Sequence, residues 1–85
     1  MNWLFSKNCT LSLKPDESGK ELAGFKSGNA LTCTANYGET VSEVLARFNT
    51  YRGPDQQIRK VWTLDGRELP LLTVIHKDIV AIVKK

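Results

Sequence analysis

The sequence predicts an α+β domain: one helix packed on a mixed four- to five-stranded sheet, with the C-terminal strand central. Three observations predict it. Thr40-Val-Ser-Glu43 is a capping box that opens a run with apolar residues at helical spacing. Two alternating, β-prone segments precede that run, and an extended stretch broken by Asp65-Gly66 comes after it. Ile79-Val-Ala-Ile-Val83 then closes the sequence as a continuous apolar run, the pattern of a central strand covered on both faces.

In chain order, residues 9–14 (Cys-Thr-Leu-Ser-Leu-Lys) alternate as a half-buried strand does, with Leu11 and Leu13 toward the core. Pro15 ends the ladder because it has no N–H to donate. Residues 15–29 contain Gly19, Gly24 and Gly28 and little periodicity. They read as a long, mobile connection with a short extended piece around residues 22–26. Residues 30–35 alternate again, with Leu31 and Cys33 on one face. They are the natural antiparallel partner of the first strand. Asn36-Tyr37-Gly38 turns the chain.

The helix is predicted over residues 40–52, about three turns. Val41, Val44, Leu45, Phe48 and Tyr51 form its apolar stripe, and Arg47 and Arg52 fall away from the stripe's centre. Gly53 suits the C′ position and Pro54 blocks continuation. Residues 58–69 form a hairpin closed by a two-residue type I′ turn at Asp65-Gly66, which pairs Leu64 with Arg67 and Trp62 with Leu69. Trp62 has two readings. If Ile58, Trp62 and Leu64 share the core face it is packing; if Val61 takes that face, Trp62 is an exposed anchor. The run does not alternate cleanly, which allows a bulge. Residues 70–78 are a loop with apolar anchors.

The bulk properties narrow the function. The 85 residues make one small domain, 41% hydrophobic and 25% charged, as globular domains are. No apolar run approaches the ~20 residues of a membrane span, and the first residues lack a basic leader and a cleavage site. The expectation is a cytoplasmic protein with no membrane association. Cys9 and Cys33 read as buried free thiols, although neighbouring strands could bring them together. No Cys/His spacing suggests a metal, no motif implies a cofactor, and a Cys-His catalytic pair would rest on His76 alone. The expectation is a non-enzyme.

Net charge is +3 with a pI near 9.0, mildly favouring acidic partners. Arg47, Arg52, Arg59, Lys60 and Arg67 cluster in the helix and hairpin region, interrupted by Asp55 and Asp65. Trp3, Tyr37, Tyr51 and Trp62 are scattered over elements that would use them as core, so nucleic acid is not expected as a partner.

The element order, with a helix after the first hairpin and a central last strand, resembles the ubiquitin-like β-grasp fold. Gly53-Pro54-Asp55-Gln56-Gln57 is also similar to ubiquitin's own helix exit. Within that superfamily the likeness is to the doublecortin domain. Residues 58–69 resemble its hairpin, where a Val-Arg-Arg-Leu-Tyr-Thr-Leu-Asp-Gly-Lys type pattern recurs. Gly24-Phe25-Lys26-Ser27-Gly28, with a strand and then the helix after it, resembles its Phe-Lys-Gly turn, second strand and helix. Trp62 stands where Tyr is usual, and residues 73–78 lack the family's Asp-Gly-rich approach to the last strand. The resemblance implies a single ubiquitin-like, doublecortin-like domain over residues 1–85. Its function would be a protein-binding module that binds tubulin in microtubules through a basic surface made of Lys26, Arg47, Arg52, Arg59, Lys60 and Arg67. The alternative is a general ubiquitin-like adaptor that binds a small GTPase or a larger complex by its sheet edge or face. A ubiquitin-type modifier is disfavoured, because the sequence ends Val83-Lys84-Lys85 rather than Gly-Gly.

Overall fold

A computed structural model describes residues 8–85. Among these residues the strands are β1 (Asn8–Pro15), β2 (Leu31–Asn36), β3 (Val61–Trp62), β4 (Glu68–Leu69) and β5 (Ile79–Val83), and the one α-helix is α1 (Val41–Phe48). They form a five-stranded mixed sheet in the order β2-β1-β5-β3-β4, so the last strand is central as predicted. β1 pairs antiparallel with β2 and parallel with β5. The helix lies on one face, and the chain is an α+β domain.

Register divides the sheet into two faces. Cys9 opposite Ala35, Leu11 opposite Cys33 and Leu13 opposite Leu31 point inward, joined by Ile79, Ala81 and Val83. Under α1 these meet Val41, Val44 and Leu45, with Phe48 packed at the margin. β5 is not covered on both faces as predicted: Val80 is 45% exposed on the side away from the helix.

Residues 15–29 supply core. Leu22 and Phe25 are buried, and Phe25 packs on Phe48 at a ring-centroid distance of 6.3 Å. The extended piece expected around residues 22–26 is absent. Instead a 3₁₀ turn at Gly19–Glu21 leads into a turn closed by the bond from Phe25 N–H to Leu22 O at 3.0 Å. Gly19 is required by close approach, since a Cβ there would run into the Val83 carbonyl oxygen.

The start of α1 is as expected. Thr40 and Glu43 form the capping box, and the orphan N–H groups of Val41 and Ser42 donate to Thr73 O and Leu71 O at 3.0 and 2.8 Å. Its end differs: the helix stops at Phe48, and Tyr51 is 98% exposed rather than on the stripe. The Asn49 side chain explains the stop. Its Nδ2 donates to Ile58 O and its Oδ1 accepts from Ile58 N–H, both at 2.9 Å, so the approach to β3 is tied to the helix end. Gly53 is not a left-handed C′ residue; at φ −64° it precedes a second 3₁₀ turn, Pro54–Gln56.

The hairpin register is one residue away from the predicted one. Val61 pairs with Leu69 and Trp62 with Glu68, and Thr63 N–H donates to Arg67 O at 2.7 Å. A type I′ turn needs positive φ at both central residues, yet Asp65 does not have it, as no described residue other than glycine does. Of the two, Gly66 alone does, at φ 92°, which gives a three-residue loop of Leu64, Asp65 and Gly66. A one-residue shift exchanges the faces. Val61 is therefore fully buried, and Trp62 lies on the outer face, half-buried.

Candidate functional site

The six basic residues singled out from the sequence do not form one free patch. Arg47 makes a paired contact with Glu39, which draws the Glu39 carboxyl below its usual range and raises the Arg47 guanidinium. Lys60 lies 3.7 Å from Glu68, and Arg67 lies 3.1 Å from Asp65. Arg52 is half-buried with its guanidinium over Phe48 (4.9 Å) and Phe25 (5.9 Å), and its Nε donates to Gln56 O at 2.7 Å. Desolvation lowers its pKa, and its Nη2 is buried without a hydrogen-bond partner among the described residues. Lys26 and Arg59 are exposed and have no ion pair among the described residues. The helix also divides the set, since Arg47 lines a groove on the β2 side of α1 and Arg59 one on the β3 side.

The other prominent surface is the edge of the sheet at β2. Its strand order leaves one side of β2 unpaired among the described residues. In an antiparallel pair alternate residues direct both backbone groups to the partner strand. Two bonds identify the residues that face outward. Asn36 N–H donates to Glu39 Oε1 at 2.7 Å, and Thr34 C=O accepts from Arg47 Nη2 at 3.0 Å. By the same alternation Thr32 faces outward too. The open groups are thus Thr32 N–H, Thr32 C=O and Thr34 N–H, while the Glu39–Arg47 pair covers the end of the edge beyond them.

Glu39 is held by its backbone as well as by Arg47. Its carbonyl accepts from Ile75 N–H at 2.7 Å, and Thr40 makes an isolated bridge to Val74. Sequence reasoning missed Glu39, an acid just ahead of the capping box that pairs across eight positions with no periodic signal. The groove was also missed. It is an open cleft of about 350 Å³ between β2 and α1, walled by Leu31, Cys33, Val44 and Phe48 with Arg47. The signal available was the alternation of Leu31 and Cys33 with Thr32 and Thr34, which placed the right residues inward but not the gap beside them.

Cys9 and Cys33 are both free. Burial raises the Cys33 thiol's pKa despite the nearby Arg47, so it stays protonated near neutral pH and is a weak nucleophile. His76 is exposed and stacks on Tyr37 at 4.9 Å. Among the described residues no group of three His, Cys, Asp or Glu is placed to hold a metal ion, and no helix is long and apolar enough to cross a membrane. No family model matches the chain, and no curated protein or solved structure is significantly similar to it.

Proposed function

We propose that this chain is a non-enzymatic, ubiquitin-like β-grasp module that binds another protein by accepting an extended segment along β2. The observation that carries the reading is the open Thr32 and Thr34 edge beside the groove of Leu31, Cys33, Val44 and Phe48. Strand addition draws affinity from main-chain hydrogen bonds and specificity from pockets that take alternate side chains. Both requirements fall on the same side of β2. The test is a library of displayed random peptides selected on the domain, with binding then measured to Thr32→Pro. Proline removes the outward N–H yet is tolerated on an edge strand. Selected apolar peptides that lose binding to a folded Thr32→Pro variant support the proposal. Peptides that bind the variant equally well would overturn it.

A second reading, doublecortin-like attachment to microtubules, is favoured by Lys26 and Arg59, which stand exposed with no ion pair among the described residues. Co-sedimentation with taxol-stabilised microtubules across a salt series tests it. Pelleting that fades with salt and is lost in a Lys26→Glu/Arg59→Glu variant supports this reading, and no pelleting at low salt removes it.

A further inference from the structure

The outer face of the sheet carries a surface independent of the β2 edge. Trp62 stands directly across from Ile82, and Ile82 across from Lys14; Val80 lies two residues before Ile82 on the same side. Trp62 and Ile82 are half-buried and Val80 is 45% exposed, so an apolar strip is open across β3 and β5, with Lys14 of β1 at its margin. The charges beside it are mostly positive. Lys84 Nζ sits over the Trp62 ring at 4.7 Å from its centroid and within electrostatic reach of Asp16, Lys14 is exposed with no ion pair among the described residues, and Lys60 is matched by Glu68.

We propose that this strip of Trp62, Val80 and Ile82 docks an acidic segment of another protein, which lays apolar side chains on the strip and presents carboxylates to Lys14 and Lys84. Charge complementarity selects this occupant. A second copy would bring its own Lys14 and Lys84 to the same interface without an excess of carboxylates to meet them. An anionic membrane surface is held by clusters of about four to eight basic residues, more than Lys14 and Lys84, the two that the described residues place here without an ion pair. Single-stranded nucleic acid stacks successive bases on successive aromatics, whereas this face has one among the described residues, already covered by a lysine. Among the described residues the remainder of the face carries the uncharged Thr10, Ser12, Thr32 and Thr34 and the mutually matched Lys60 and Glu68, so the attraction is concentrated at the Lys14–Lys84 end.

The test is a titration of the 15N-labelled chain with a synthetic helical peptide that carries two leucines four residues apart, flanked by glutamates. The comparison probes are the same peptide with lysine for glutamate, phosphatidylcholine–phosphatidylserine vesicles, and poly(U). The expected result is amide shifts at Lys14, Trp62, Val80, Ile82 and Lys84 with the acidic peptide alone. Its affinity should fall roughly tenfold or more in Lys14→Glu/Lys84→Glu, two exposed changes that leave the core intact, and should weaken with salt. No shifts at millimolar peptide, equal binding of the lysine peptide, shifts at Thr32 and Thr34 instead, or a response to vesicles or poly(U) alone would each overturn it. Because β2 is read separately in the same spectra, failure here leaves the strand-addition reading standing.

Discussion

Replacing Asn49 with alanine tests how the helix end is joined to the sheet. The Asn49 amide makes two hydrogen bonds to the backbone of Ile58, each 2.9 Å, and Ile58 is only 4% exposed. Asn49→Ala therefore strands one N–H and one C=O in a region that water reaches poorly. At about 1–2 kcal/mol for each group left unpaired, the expected loss is about 2–4 kcal/mol. A domain of this length has roughly 4–13 kcal/mol in total, so the loss is a large fraction. With a urea m-value on the order of 1 kcal/mol/M, the unfolding midpoint tracked by circular dichroism should fall by about 2–4 M. A loss below about 0.5 kcal/mol in Asn49→Ala would refute this account of why α1 stops at Phe48.

Phe25→Ala removes a fully buried ring from the connection between β1 and β2, and a loss of about 3–5 kcal/mol in urea unfolding is expected. Little change would mean that this connection does not belong to the core. Gly66→Ala places a side chain at φ 92° and should cost about 1–2 kcal/mol, whereas the two-residue I′ loop would have required the same strain at Asp65 as well. In acid, the carboxyls of Glu39 and Asp65 are held below their ordinary values of 4.5 and 3.8, the first by Arg47 and the second by Thr63 and then Arg67. Lowered folded-state values mean that the unfolded chain takes up protons first as pH falls. The urea midpoint should thus be level from neutral pH to about pH 5 and decline below about pH 4.5, less steeply in Glu39→Gln. A midpoint that rises on acidification would contradict the pairing.

Much of the fold is legible because its signals are local. The capping box fixes the start of α1, Leu11 and Leu13 alternate with polar residues, and β5 is apolar enough to require a central place. The features that differ were decided by contacts distant in sequence. Tyr51 lies three residues after Phe48 and continues the helical spacing, but the bonds from Asn49 to Ile58 end the helix first. Asp65-Gly66 suits either a two- or a three-residue loop. The choice comes from burying Val61 opposite Leu69 and from the Thr63 hydroxyl, which accepts from Arg67 N–H at 3.1 Å. The basic residues looked like a cluster because they are close along the chain. In space α1 separates Arg47 from Arg59, and three of the six face carboxylates of their own chain. Trp62 was ambiguous until the register gave Val61 the core face.

Amide hydrogen exchange along β2, with and without a peptide selected on the domain, tests the strand-addition reading most directly. In the free chain the amides of Leu31, Cys33 and Ala35, bonded to β1, should exchange slowly, while Thr32 and Thr34 exchange fast and Asn36, held by Glu39, is intermediate. With peptide bound, Thr32 and Thr34 should become protected. Amides at Thr32 and Thr34 that are already slow in the free chain, or stay fast in the complex, would contradict it.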